Sequence, residues 1–556
     1  VHYKHLGLPR FQPPVHPAHA LDERCERRGI RDHGHEVEIH ADLDHLRGDD
    51  NHHARVHFAG GGLTGKPARF RHRFILFPSS IGVECGERVL GVATWGDPRL
   101  WRYAEYVAGG KRVEAFSTLS ILREVEKPVK IVVVILDTLA AAESEGKSCD
   151  EVKSYDDVER LASCYAKRYL CGVEAEIVVL PGIFERYDRE GGGKRLSFES
   201  DPRSEFLPLL TYTVFEEALK ADATSIALDV SHGMNFMPTL ALRATEETAA
   251  ALAAARVRRV EVRVYQSDPY PPDFRELARS REDACRPAQG GVKPPSLRYN
   301  LILERALEPW DLTRYISYRE QQALKVLTDT RGCDLDSARD LLEKWALPLL
   351  GAFRLGALPQ LALLAKAASL GELESAIERA IECWRSKRMV QRGEDGALKV
   401  ASGTRFAAGF WALVHARAVL EGARKLLDRT EGLVPLEEAT VTFDELKRLR
   451  DLVKGSRVVS ELVNREISKL DYLRERWVKL RSGEWARLSE LQLGSAPEES
   501  KGDESVFKRD FIAHAGFHTD VLEARLTEEG LEVRVRNERW ELVKKVLREV
   551  TQEGAT

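Results

Sequence analysis

"SIALDVSHGMNFMP", residues 225–238, decides how the first half of this chain folds. It opens as a short, nearly continuous apolar run of the kind that fills a strand buried on both faces. It then breaks into small and polar residues around Gly233 and reaches Pro238, whose missing N–H suits the first turn of a helix. Four more runs share its opening: "RVLGVATWG" (88–96), "VKIVVVILDTL" (129–139), "EAEIVVLPGI" (174–183) and "RRVEVRVYQSDP" (258–269). Helical periodicity lies between several of them, notably over 155–170 and 205–220. Apolar strands alternating with helices predict a Rossmann-like, mostly parallel, doubly wound α/β sheet.

In such sheets ligands bind beyond the carboxyl ends of the strands. Two loops there carry the right chemistry. "ATWGDPRLW" (93–101) offers Thr94, Trp95, Gly96 and Asp97; the opening stretch offers Ser231, His232, Gly233, Met234 and Asn235. The glycines permit close backbone approach, and N–H groups at the following helix start suit a phosphate. The plainer alternative is a pair of ordinary strand-to-helix turns with capping residues.

Past about residue 275 the pattern turns helical, after a Pro/Gly-bearing linker at 283–296. Residues 276–400 read as an all-α linker that could include a helix-turn-helix. The apolar stretch 346–367 contains Arg354, Gln360 and two prolines, so it reads as buried helices broken at Pro348 and Pro359 rather than a membrane span. Long helices dominate 401–556, followed by a hairpin over 521–536 and a last helix over 538–550.

Composition narrows the class further. The 556 residues carry 84 Lys+Arg against 88 Asp+Glu, so any nucleic-acid contact is a local site rather than a basic coat. Three Met and five Asn beside 31% charged residues point toward a thermophile. Eight cysteines without a C-x-x-C or a zinc-like spacing with histidine read as a reduced, cytoplasmic chain, intracellular thermophile disulfides being the alternative. No metal site is expected. Residues 1–84 stand apart: twelve of the sixteen histidines lie before residue 81, without apolar periodicity, and the segment reads as a disordered or extraneous extension. Its "GGGLTGKP" (60–67) has a P-loop's outline, but Pro67 stands where Ser or Thr would hold magnesium.

Near the other end lies "RDFIAHAG" (509–516). Histidine moves protons near neutral pH and arginine's fork holds a phosphate as charge builds, so Arg509 and His514 suit RNA transesterification. Spacing alone does not decide, since Arg28/His33 and Arg47/His52 repeat it. In a helix the pair would sit about 140° apart in azimuth. The small residues Ala513, Ala515 and Gly516 around His514 fit a crowded interface or a substrate approach. The plain alternative is a surface arginine and a core histidine.

Together "ATWGDP", "DVSHGMN", "YQSDP" and "RDFIAHAG" make the chain resemble, across roughly residues 85–556, the CARF–HEPN effector ribonucleases of type III CRISPR immunity. The resemblance implies a CARF domain over 85–275 that binds cyclic oligoadenylate, the tetra-adenylate ring first of all, through the two strand-end loops. It implies a HEPN domain over 401–556 that cuts single-stranded RNA with Arg509 and His514, leaving a 2′,3′-cyclic phosphate. A homodimer or a higher oligomer would pair the sites, with no cofactor beyond the activator and no membrane. The rival is a ligand-gated transcription regulator with the same sensor and a DNA-reading helix-turn-helix, against which stand the 27 Lys+Arg and 28 Asp+Glu of 401–556. Destruction of the ring within its own CARF pocket stays open as an added activity. Deleting residues 1–80 should leave folding and RNA cleavage intact. A protected N-terminal fragment in limited proteolysis with mass spectrometry would count against that.

Overall fold

The computed structural model describes residues 86–552 except 144–151, 188–193, 273, 275–276, 281–282, 289–292, 319–322, 393–397, 429–433, 478–482, 494–503 and 529. The chain divides into Val1–Ile81 and Gly82–Thr556, and every described residue lies in the second unit. The readings of 1–84 and of the P-loop-like 60–67 therefore lie outside the described residues.

The sheet forms as its apolar runs require. Strands β1 (Val89–Trp95), β2 (Ala104–Ala108), β3 (Lys111–Ala115), β4 (Lys130–Leu136) and β5 (Glu176–Leu180) precede a small pair, β6 (Phe184–Tyr187) and β7 (Lys194–Phe198). Then come β8 (Ser225–His232), β9 (Val260–Ser267) and β10 (Ser296–Leu307). The eight-stranded order is β3-β2-β10-β9-β8-β1-β4-β5. The five runs read from sequence, β9, β8, β1, β4 and β5, are mutually parallel neighbours. Ile131 to Leu136 are all buried, as a strand covered on both faces must be. The Met237–Arg256 helix comes after β8, with Pro238 in its first turn.

Four expectations need correction. First, 276–400 is not all helical: β10 runs antiparallel to β9 and parallel to β2 inside the first sheet. Its "LRYNLILERAL" buries Leu297, Tyr299 and Leu307 but leaves Leu301 and Ile302 exposed, and with Arg298, Glu304 and Arg305 among them it imitates a helix. Second, β11 (Arg388–Arg392) and β12 (Leu398–Ser402) extend the β6–β7 pair into a four-stranded sheet. Third, the helix break in 346–367 falls at Gly356 (φ +68°); Pro359 sits in a first turn, where its missing N–H has no intrahelical partner, and Pro348 follows directly on the π-helical turn Leu342–Ala346 without ending the helix. Fourth, the chain is not fully reduced, because Cys171–Cys285 and Cys333–Cys383 are disulfides. The hairpin Leu522–Thr527/Gly530–Val535 and the final helix Trp540–Gln552 stand where the sequence put them.

A buried ion cluster joins the large sheet to β11 of the small one. Arg388 on β11 has a fully buried side chain, 2.8 Å from Asp137 at the end of β4 and 3.5 Å from Glu205. Gly182 N–H and Tyr155 O–H also donate to Asp137, at 2.8 and 3.1 Å, and Trp384 Nε1 donates to Glu205 at 3.0 Å. The guanidinium lies 4.7 Å from the Tyr155 ring centroid. Removing the cation alone would strand two buried carboxylates, a loss of about 3–5 kcal/mol. Arg388→Met is therefore expected to lower the denaturant midpoint sharply, while adding Asp137→Asn and Glu205→Gln restores most of it. A single variant as stable as the parent would show that the cluster is dispensable.

Candidate functional site

At the carboxyl ends of β1 and β8 the two predicted loops are one structure. Gly96 N–H donates to His232 O at 2.7 Å, so each loop fixes the other. A Cβ at Gly233 would collide with Thr94 Oγ1 and stand 2.8 Å from the Pro238 ring. Asn235 holds φ +54°, a left-handed conformation that asparagine tolerates better than most residues. The tight loop chemistry read from sequence is thus needed for the loops to nest.

Not every candidate faces outward. Thr94 and Trp95 are each 1% exposed, and their side chains frame the site from inside rather than offering groups to a ligand. Asp97 is engaged in local structure: it accepts from Arg99 N–H at 3.0 Å, from the Arg99 guanidinium and from Tyr165 O–H at 2.7 Å. Burial raises its pKa, but these donors win and hold the carboxyl below its usual range. Ser231 Oγ accepts from Ser267 N–H at 2.9 Å, tying in the "YQSDP" segment after β9. Gly96 is buried under the opposing loop, Gly233 and Met234 are partly accessible, and Asn235 is exposed.

His232 is the most constrained of the set. Its ring stacks on Trp101 with centroids 4.1 Å apart, and Trp101 meets Trp95 edge-on. Thr118 N–H donates to its Nε2 at 3.2 Å, which leaves the ring proton on Nδ1. Burial, and then the Arg279 guanidinium, push its pKa down to about 3. The imidazole is therefore a neutral donor, and no described residue accepts from Nδ1. Arg279, on a segment pinned by the Cys171–Cys285 disulfide, lies 4.0 Å from the Phe116 centroid and donates from Nε to Pro98 O at 3.1 Å. Trp101, Thr118 and Arg279 escaped the sequence reading. Only Trp101, inside the quoted loop, left a signal there.

The second predicted motif lies on the Glu504–Ala513 helix and the turn after it. His514 N–H still reaches Asp510 O at 3.1 Å, but Ala515 (φ +46°) and Gly516 (φ +75°) then turn left-handed and end the helix. The small residues there have a packing reason. Ala515 and Gly516 are buried, and a side chain on Gly516 would collide with Gln360, whose Nε2 donates to Gly516 O at 2.9 Å. Of the two readings of these small residues, close packing fits Ala515 and Gly516, while Ala513 is exposed.

His514 has a partner the sequence reading missed. Its Nδ1 lies 3.2 Å from Glu466 Oε1, and Glu466 is 4% exposed while the imidazole keeps 44%. Lys469 Nζ, 2.8 Å from the same oxygen, and Arg465 supply the positive charge a buried carboxylate needs. A glutamate on the Val463/Ile467/Leu470 face of the Arg457–Trp477 helix was the available clue. Arg509 is exposed, with its guanidinium on Asp510 at 3.0 Å. Among the described residues, no group of three or more His, Cys, Asp or Glu side chains is arranged to hold a metal.

Known proteins share both regions. Residues 90–269 match the family described as CRISPR system endoribonuclease Csx1, CARF domain, and residues 456–539 match its HEPN domain. Both loops lie in the first match; Glu466, Arg509 and His514 lie in the second. The CRISPR system endoribonuclease Csx1 of Methanocaldococcus jannaschii is 29% identical over 180 residues, 32% of this chain and 36% of that relative, so the matched part spans about a third of the relative's length. Among solved structures, Enterococcus italicus Csm6 bound to cyclic hexa-2′-fluoro-hexa-dAMP is similar over 84% of this chain and 99% of its own, at 12% identity. Its TM-score of 0.20 carries no argument.

The depressed His232 pKa has a signed consequence. The folded state refuses a proton that the unfolded chain accepts below about pH 6.5, so stability is complete above that pH and falls as pH drops toward 3. The slope from this one group cannot exceed about 1.4 kcal/mol per pH unit. His232→Gln should flatten the acid side of the stability curve, measured by denaturant titration between pH 7 and 4. An unchanged acid slope would mean that the imidazole protonates freely in the fold.

Proposed function

The chain belongs to the CARF–HEPN proteins of CRISPR systems, and from that premise we propose that it is an endoribonuclease switched on by a cyclic oligoadenylate. The observation carrying this reading is His514, the histidine of the HEPN motif, held at one ring nitrogen by a buried carboxylate with its other edge open. A core histidine would be enclosed, and a chance surface histidine would lack the buried glutamate.

The roles follow from that arrangement. Glu466 takes the Nδ1 proton of His514 as a hydrogen bond and leaves Nε2 facing the substrate. Nε2 handles the proton of the attacking 2′-hydroxyl or orients it, while the Arg509 fork stabilises the charge building on the phosphate. The 2′-oxygen bonds to phosphorus, the bond to the 5′-oxygen breaks and that oxygen takes a proton. The products are a 2′,3′-cyclic phosphate and a 5′-hydroxyl, and no step calls on a metal. One Arg–His pair is modest equipment, so two copies related by a two-fold axis would share a cleft. The activator of choice is cyclic tetra-adenylate, whose repeated phosphates and bases fit two copies of the Gly96 and His232–Asn235 loops. His232 would give its Nδ1–H to an acceptor on that ring.

The DNA-binding alternative is disfavoured by burial. The Leu347–Leu355 and Leu358–Ala367 helices sit almost wholly in the core and cannot enter a groove. Leu370–Ser386 is amphipathic with four glutamates against two arginines, the wrong sign for a recognition helix.

RNA cleavage with a panel of cyclic oligoadenylates tests the whole reading. Arg509→Ala and His514→Ala should each abolish cleavage without weakening activator binding, and excess chelator should leave the parent active. In isolated mixed dimers of parent and His514→Ala chains, a loss far beyond half is expected for one shared cleft. His514→Ala homodimers cutting at the parent rate would end the ribonuclease proposal.

A further inference from the structure

A cleft of about 640 Å³ opens directly beside the ligand loop, lined by Ser200, Asp201, Arg203, Phe236, Thr239 and Arg405 among others. Its size is that of an ordinary small-molecule site. Phe236 directly follows Asn235 and precedes the Met237–Arg256 helix. Its ring is held by Phe206, edge-on at 5.2 Å, so it is a fixed apolar wall. Opposite chemistry comes from two arginines. The Arg203 guanidinium is exposed and has no ion-pair partner among the described residues. Arg405 lies 3.3 Å from Asp201, whose other oxygen already accepts from Arg203 N–H at 2.9 Å and Ser204 N–H at 3.3 Å. Asp201 thus serves the Arg405 guanidinium, and the Arg203 cation is left over.

We propose that this cleft is the outer part of the activator site and takes one adenosine phosphate unit of the cyclic oligoadenylate. The inference rests on the ligand-gated reading and extends it. The adenine lies against Phe236, and its phosphate is drawn by Arg203 and Arg405. An anion, not a cation or a plain apolar ligand, is what an unpaired arginine beside a half-neutralised one selects. The placement has a further consequence. Ser200 to Thr239 belong to the sensor, whereas Arg405 adjoins Phe406, whose N–H donates to Ser204 O at 2.9 Å. One unit of the ring would then touch the sensor and the segment leading into the helical half together.

Two substitutions in the full chain test this by calorimetric titration with cyclic tetra-adenylate and, separately, cyclic hexa-adenylate. Arg203→Glu reverses the free charge without breaking an ion pair among the described residues, and Thr239→Trp fills the cleft from an exposed position. Each is expected to weaken binding of the ring that the parent binds by tenfold or more. Arg203→Lys should recover most of the loss, and thermal melts should match the parent. Affinity within twofold of the parent in both variants overturns the assignment of the cleft while leaving the gating proposal standing. A parent chain that binds neither ring overturns the gating proposal, and this inference with it.

Discussion

The rest of the structure hangs on a helix with almost no solvent side. Met237–Arg256 starts where the 231–235 loop ends, lies across the sheet and is covered on its far face by the Ala408–Leu426 helix. The six alanines among residues 249–255 are all buried, and residues that small allow two backbones and a sheet so close together. At the tightest point even a methyl is too much: a Cβ on Gly422 would collide with Ala254 O. A helix enclosed in this way cannot shift alone, because cores rearrange between packed states rather than deform smoothly. Any change at residues 231–236 therefore bears on the helical half through packing.

Polar groups fix the register of that packing. Glu247, buried within the same helix, meets His415 Nε2 at 3.0 Å, and His415 Nδ1 meets Tyr318 O–H at 2.8 Å. Tyr318 N–H in turn donates to Thr551 O at 2.9 Å, in the last helix. A chain of buried hydrogen bonds contributes little net stability when complete but is costly when any member is displaced. Such a chain discriminates between one docking of the two halves and a slightly slipped one, as apolar contact alone does not. The Arg388 cluster does the same between the end of β4 and β11. Two such fixed points allow rotation of one half on the other far less readily than either alone.

How much of this was legible depended on whether a residue's role was local. The five parallel strands were readable because near-continuous apolar runs have few other uses, and the two loops because glycine and proline announce turns. β10 was not, since alternate positions carry Arg298, Asn300, Glu304 and other polar groups whose exposure comes only from tertiary placement. The disulfides were not, since Cys171 and Cys285 lie 114 residues apart and only folding brings their Cα atoms to 5.3 Å. Glu466 stands between these cases. A carboxylate on an apolar helical face is visible in sequence, but that it faces a histidine 48 positions later is not.

That glutamate also bears on what an Arg–His spacing needs beyond itself. The spacing matters only where a histidine is released from its helix and seized by something else. At His514 the release comes from Gly516, whose missing side chain lets the turn dock on Gln360 and ends the helix there. The seizure comes from Glu466, itself held by Lys469. Arg509 stays on the helix, paired with Asp510, so within one copy the two side chains have separate partners. An arginine held by its neighbour gives up that ion pair only for a stronger anion, and a phosphate offering bidentate contact is one. Under the ribonuclease proposal, the motif is a pair of separately held groups that a substrate phosphate would bring to one object.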